Sequence, residues 1–296
     1  MEDERAPPGR GGDPPRSWRH ELGDALGAEV TVAAPVSGGD INEAYRARLA
    51  DGRVVFVKAH AAAPPGMFAA EARGLAWLAG GALQVPRVLA VGESYLALEW
   101  LELARGGDGF EARLGRELAQ LHLRDPGAFG LDHDNYLATL PQHNQPDAGV
   151  LTWPELFVER RLRPFAAIAG ARGRLPSVER ELDELRRRED RFGPPEPPAR
   201  LHGDLWWGNV AAAGGRPVVF DPAVVGGHRE VDLAMLAWAG GLPEPLVAAY
   251  HEVYPLAPGW RARLALWQLL PLFSHAALFG GGYGAQARRG LTAALR

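Results

Sequence analysis

Short apolar runs alternating with polar positions dominate the first hundred residues, the period-two signature of half-buried strands. Val30–Pro35, Ala44–Leu49 and Arg53–Lys58 are three such runs, and Asp51-Gly52 between the last two is a hairpin signal. The period then lengthens. Phe68, Ala72, Leu75, Ala76 and Leu78 recur at helical spacing before Pro86–Val91 and Tyr95–Trp100 return to strand patterning. The predicted order is β-β-β-α-β-β, with three antiparallel strands at the start.

Beyond Leu103 a Gly-rich stretch, 104–109, interrupts the pattern and helical periodicity takes over. Phe110, Leu114, Leu118 and Leu121 share one helix face. Thr152 followed by Glu155 is a capping box ahead of Leu156, Phe157, Leu162 and Phe165. A charged helix is predicted over Ser177–Arg191, a Pro-rich connector over 193–199, and a long apolar helix over Trp260–Phe279, interrupted or kinked near Pro271. The pattern predicts an α+β, two-lobed chain. A small N-terminal lobe, 17–103, carries an antiparallel sheet and one helix; a larger, mainly helical lobe spans 104–296. Residues 1–16 mix Pro, Gly and both charges and are expected to be a disordered tail.

Composition narrows the function classes. The chain has 296 residues, 47% of them hydrophobic, a formal net charge of -4 and no Cys. Disulfides and thiolate catalysis are therefore excluded, and a reducing cytoplasm is the expected compartment. No apolar stretch approaches the roughly 20 residues that span a bilayer, and neither a membrane nor a nucleic-acid partner is expected. The arginines within 159–163 and 186–188 have acidic neighbours on the same helices, which predicts solvated or salt-bridged faces.

The residues with chemical meaning cluster in 201-LHGDLWWGN-209. Asp204 and Asn209 have the D-x-x-x-x-N spacing of a kinase catalytic loop, in which the Asp accepts the proton of the attacking hydroxyl and the Asn binds a metal. Twelve residues on, the apolar run 217–220 ends in Asp221, and a hairpin would bring this carboxylate beside Asn209 as a Mg²⁺ ligand. Either Asp alone reads equally well as a turn residue capping a strand; the combination specifies phosphoryl transfer from ATP. Lys58 ends the third strand and Glu71 lies on the next helix, the order in which a kinase holds the nucleotide phosphates and orients the lysine. Gly38-Gly39, between the first two strands, allows the backbone to approach those phosphates. Asp221 is followed almost directly by a helix beginning near Asp232, leaving no room for a peptide-docking activation segment. The acceptor is therefore expected to be a small molecule.

The blocks 201-LHGDLWWGN-209, 155-ELFVERRLRP-164, 227-GHREVDLAM-235 and 267-WQLLPLFSHAALFGGGY-283 resemble the fructosamine kinase, or ketosamine 3-kinase, family of protein-kinase-like enzymes. Aminoglycoside and choline kinases share H-G-D and the later Asp but not these flanking blocks. The resemblance implies ATP- and Mg²⁺-dependent phosphorylation of the 3-hydroxyl of ribulosamine, erythrulosamine or fructosamine adducts, a deglycation repair reaction. It implies Asp204 as base, Asn209 and Asp221 as metal ligands, Lys58 with Glu71 as phosphate clamp, and backbone groups of Glu99 and Leu101 for adenine. His202, Trp206, Trp207, Asn135 and His275 are its substrate-site candidates. A sugar amine is the expected partner, with glycated protein as a further one, and monomer and homodimer are both compatible. Two rivals remain: an aminoglycoside- or choline-type kinase, and a catalytically silent pseudokinase. Retention of Lys58, Glu71, Asp204, Asn209 and Asp221 argues against the second.

Overall fold

The computed structural model describes residues 16–36, 41–145 and 152–296. Gly38 and Gly39, and the tail to residue 15, lie outside the described residues. The chain forms two compact units. One comprises the described residues to Phe68 with Val88–Trp100, the other Ala69–Arg87 with Leu101–Arg296.

In the first unit, α1 (Arg16–Leu26) precedes β1 (Val30–Pro35), β2 (Glu43–Leu49), β3 (Val54–Ala59), β4 (Val88–Val91) and β5 (Tyr95–Glu99). These strands form an antiparallel sheet in the order β1-β2-β3-β5-β4. Alternation sets the core: Tyr45, Ala47 and Leu49 of β2 and Val55, Val57 and Ala59 of β3 are buried with Trp18 and Leu22 of α1. Lys58, one residue out of step, is thereby directed to the other face of β3. The predicted 51–52 turn closes the hairpin through Leu49 N–H to Arg53 C=O (2.9 Å). Arg53 reaches onward to the Leu26 carbonyl (2.7 Å), fastening the turn to α1. α1 itself was not anticipated: in its eleven residues apolar anchors recur only as Trp18, Leu22 and Leu26, directly after a Pro-rich tail.

α2 (Met67–Leu78) follows β3 in sequence, yet from Ala69 onward it groups with the second unit, whereas a single cut near residue 103 was expected. The contacts explain this. Gly74 lies against Val224 and Pro222, Arg200 donates to the Trp77 carbonyl (2.8 Å), and Val219 N–H donates to Gln84 C=O (2.9 Å).

The second unit continues with β6 (Leu103–Ala104), α3 (Phe110–His122), β7 (Asn135–Leu137), β8 (Leu140–Gln142), α4 (Trp153–Phe157), a π-helical turn (Val158–Leu162), α5 (Arg163–Ala171) and α6 (Glu179–Arg187). Then come β9 (Ala199–Leu201), β10 (Val210–Ala213), β11 (Arg216–Val219), β12 (Val225–Gly227), α7 (Glu230–Trp238), α8 (Glu244–Val253), α9 (Trp260–Trp267), α10 (Leu269–Leu278) and α11 (Tyr283–Ala294). The Thr152 hydroxyl accepts from Glu155 N–H (3.4 Å), the cap expected from sequence. α3 packs closely on α8: a Cβ at Gly115 would sit 2.2 Å from the Leu246 carbonyl oxygen, so only glycine fits there.

The apolar segment 260–279 is interrupted near Pro271, as expected: it forms two helices that break at Gln268, with Pro271 in the first turn of α10. A proline has no N–H and its ring crowds the carbonyl four residues back, so the interruption falls one turn before Pro271. One expectation needs correction. Arg161 is not on a solvated face: it is 2% exposed, and its guanidinium bonds Asn144 Oδ1 and the carbonyls of His143 (3.2 Å) and Arg160 (3.0 Å). Burial pushes its pKa down to about 9 against the pull of Asp134, which leaves it charged at neutral pH. Arg163 does behave as expected, pairing with Glu159, Glu179 and Asp183.

Candidate active site

β9 delivers the catalytic loop and β12 pairs with it, Leu201 opposite Val225. Between them two loops run side by side: 202–209, carrying Asp204 and Asn209, and 220–224, carrying Asp221. Three hydrogen bonds join them. Phe220 N–H donates to Asn209 C=O (3.2 Å), Ala223 N–H donates to His202 C=O (2.9 Å), and His202 Nε2 bonds the Phe220 carbonyl (3.0 Å). Gly203 makes the approach possible. Its φ is +81°, and a Cβ there would lie 2.0 Å from the Ala223 carbonyl oxygen.

Within the catalytic loop, Asn209 Nδ2 donates to the backbone oxygen of Asp204 (2.9 Å) and to its carboxylate Oδ2 (3.2 Å). Two acceptors on one side fix the amide orientation and put its oxygen on the opposite edge. The β10–β11 hairpin sets Val210 opposite Val219, so Asn209 and the residues leading to Asp221 are neighbours by register. Asp221 itself has φ 59°, a left-handed conformation that costs a non-glycine residue about 1–3 kcal/mol. The paired backbone groups of Phe220 and Ala223 on either side hold it there. Asn209 thus touches Asp204, and the loop that carries Asp221 runs beside them. Among the described residues no cluster of three His, Asp or Glu forms a metal site. One amide and one carboxylate suit Mg²⁺, which keeps waters and takes its remaining oxygens from phosphate.

His202 is 0% exposed, and both of its ring nitrogens are used by the protein: Nδ1 accepts from Asp204 N–H (3.3 Å), and Nε2–H donates to Phe220. Burial lowers its pKa, against the opposing fields of Asp232 and Asp221, so it is the neutral Nε2–H form. Its expected role as a substrate contact is therefore corrected: it is a brace. Asn135 is corrected in the same way. It is buried, donates to the Val224 carbonyl (2.8 Å) and accepts from Asn144 Nδ2 (2.8 Å), whose own oxygen takes the Arg161 guanidinium.

Trp206 is 40% exposed, with its ring over Gly208. Trp207 is half-buried, donating from Nε1 to the Gly241 carbonyl (2.9 Å) and packing on the Leu205 cluster. His275 is half-buried between Trp238 (4.8 Å between ring centres), Tyr283 (5.0 Å) and Phe279 (5.3 Å). Lys58 lies in β3 of the first unit, in register with Ala44 and Leu96, and is 6% exposed. Glu71 lies on α2; Glu99 ends β5 opposite Val55, and Leu101 begins the next segment of the second unit.

The sequence did not single out Asp232. Its Oδ2 accepts His202 N–H (2.8 Å) and its Oδ1 accepts Gly203 N–H (2.9 Å), so one buried carboxylate carries the backbone of the catalytic loop. The signal was present: Asp232 is a lone charge inside the apolar run 231–236, every residue of which is buried. A charge there persists only when fully bonded.

A model of the fructosamine kinase family matches residues 16–296. A "Probable ketoamine kinase" of Synechocystis sp. is 40% identical over 271 residues, covering 88% of this chain and 89% of that one. The crystal structure of a "putative fructosamine-3-kinase" from Thermobifida fusca superposes with a TM-score of 0.84 at 42% identity, covering 95% and 99% of the two chains. A macrolide 2'-phosphotransferase from Brachybacterium faecium, 19% identical and covering 93% and 97%, shares the fold with a TM-score of 0.58. With a β-rich first unit, a helical second unit and a paired kinase loop, the chain is a protein-kinase-like phosphotransferase that belongs to the fructosamine kinase family.

Proposed function

We propose that this protein transfers the γ-phosphoryl group of ATP to the 3-hydroxyl of small ketosamines, ribulosamine or erythrulosamine before fructosamine, and so serves deglycation. The observation that carries the reading is the pairing of the two loops, which sets Asp204 against Asn209 and brings Asp221 alongside. Asp204 accepts the hydroxyl proton as the substrate oxygen attacks the γ-phosphorus and ADP departs. Asn209 and Asp221 hold Mg²⁺, which when bound neutralises charge on the phosphates. Lys58 holds the phosphates and Glu71 orients its ammonium group; these roles, like the backbone contacts of Glu99 and Leu101 to adenine, rest on the family resemblance. The exposed face of Trp206 suits the apolar side of a sugar chain. The aromatic group around His275 suits the amine substituent, whose ammonium is attracted to ring faces.

The test incubates purified protein with Mg·ATP and a panel of ribulose-, erythrulose- and fructose-amines, aminoglycosides and choline, following ADP release. Turnover confined to sugar amines, and reduced about a thousandfold or more in Asp204→Asn, is expected. Turnover on aminoglycosides or choline alone refutes the substrate class. ATP binding without turnover on any acceptor identifies a pseudokinase.

A further inference from the structure

Asp232 is fully buried, and it has a third partner beyond the two loop amides. His122 Nε2 lies 3.2 Å from Asp232 Oδ2, and His122 Nδ1 lies 2.7 Å from the Tyr250 hydroxyl. The three side chains come from α7, α3 and α8, separated by 110 and 128 positions in sequence, and His122 is 2% exposed. The α3–α8 contact that admits only glycine at 115 brings these two helices together.

The direction of each bond follows from what each group can do. Burial pushes the Tyr250 pKa well above the usual phenol range, against the opposing pull of Arg229, so the hydroxyl keeps its proton and donates it to His122 Nδ1. With Nδ1 accepting, the imidazole proton resides on Nε2 and points at Asp232. The carboxylate has no freedom left: its Oδ2 takes His122 and His202 N–H, its Oδ1 takes Gly203 N–H. Beside this chain Arg229 lies 6.0 Å from the Tyr250 ring centre and binds Glu196 at 2.8 and 2.9 Å.

We propose that His122, with Tyr250 behind it, is a positioning residue for phosphoryl transfer: it holds the Asp232 carboxylate in the one orientation that meets both loop amides and thereby aims Asp204. The inference rests on the reading of Asp204 as the base. An apolar residue in place of His122 leaves Oδ2 one donor short inside the protein, so the carboxylate rotates and the loop amides lose their acceptor.

The experiment compares the full-length protein with His122→Leu, His122→Gln, Tyr250→Phe and Asp204→Asn. Steady-state turnover of a ribulosamine with Mg·ATP is measured, together with hydrogen exchange at the amides of His202 and Gly203. For His122→Leu, kcat falls about ten- to a hundredfold with little change in KM for ATP, and the two amides exchange faster while those of α5 do not. His122→Gln keeps a donor near the Nε2 position and recovers most of the rate; Tyr250→Phe loses less than His122→Leu. A folded His122→Leu protein with full kcat and unchanged amide protection overturns the proposal. So does a loss of protection spread over the whole second unit with no recovery in His122→Gln, since that is packing alone. Asp204→Asn separates the two claims. If it is inactive while His122→Leu is fully active, only the positioning role fails; if it stays active, the base assignment fails and the exchange data alone decide the positioning role.

Discussion

The two loops of the site are held from behind by opposite chemistry. The catalytic loop presents two N–H groups to the interior and rests on a carboxylate, Asp232. The 220–224 loop presents a carbonyl, that of Val224, and rests on a neutral amide, Asn135. Each anchor is what the exposed backbone group requires: donors need an acceptor, an acceptor needs a donor. The contrast also separates charge. The buried Asp232 carboxyl group sits behind the loop of Asp204, the proposed base, whereas the loop of Asp221, the proposed metal ligand, is backed by amides and, one bond further, by the cation of Arg161. Catalytic aim should therefore depend on a charged anchor and metal affinity on a neutral one.

The comparison breaks most sharply at Asp232. Asp232→Asn turns an NH₂ toward one of two loop N–H groups and removes the charge; the loss is expected to be about 3–5 kcal/mol, read as a hundredfold or greater fall in kcat by ADP release. Gly203→Ala strikes the seam between the loops. With φ at +81° and the Ala223 oxygen 2.0 Å from the new Cβ, it should cost about 3 kcal/mol or more in denaturant unfolding and abolish turnover. Asn135→Leu keeps the branched shape, adds some bulk and strands the Val224 carbonyl. We expect a cost of about 2 kcal/mol and a higher Mg²⁺ concentration for half-maximal rate, with kcat at saturating Mg²⁺ less affected than in Asp232→Asn. If Asn135→Leu lowers kcat without shifting the Mg²⁺ dependence, the division of labour is wrong.

The smallest effect is on stability against pH. Burial lowers the pKa of both His202 and His228, the latter stacked on Trp267 at 4.9 Å. In the unfolded chain each binds a proton below about pH 6.5, whereas the folded protein resists protonation. Their contribution is complete above that value and is lost as pH falls toward the lowered folded values, about 1 kcal/mol per histidine per unit. Denaturant curves at pH 7.5 and 5.5 should show the decline, and His228→Phe should flatten part of it while leaving kcat unchanged.

What was legible in the sequence and what was not divide along distance. The strands of the first unit, the 51–52 turn and the Thr152 cap are local patterns, and they were found within a residue or two. Asp204, Asn209 and Asp221 were legible because their spacing is itself local. The braces were not. His122 and Asp232 meet across 110 positions, and nothing in either neighbourhood names the other. Arg161 was misjudged for a related reason. The run 159–163 looks like a charged face, but the π-helical turn at Val158–Leu162 changes the angular spacing and points one of its arginines inward. α1 escaped because its apolar residues are few and its value lies in Trp18 meeting Tyr45, 27 positions away (ring centres 5.4 Å apart).

Gly203 has a consequence for descent as well as for catalysis. Protein kinases carry at this place the arginine that reads a phosphorylated activation segment. Here the space for any side chain is filled by the Ala223 carbonyl. A side chain at 203 requires the paired 221–225 backbone to move, so that form of control is not one substitution away. The seam between the two loops thus closes this position to an arginine for as long as the loops stay paired.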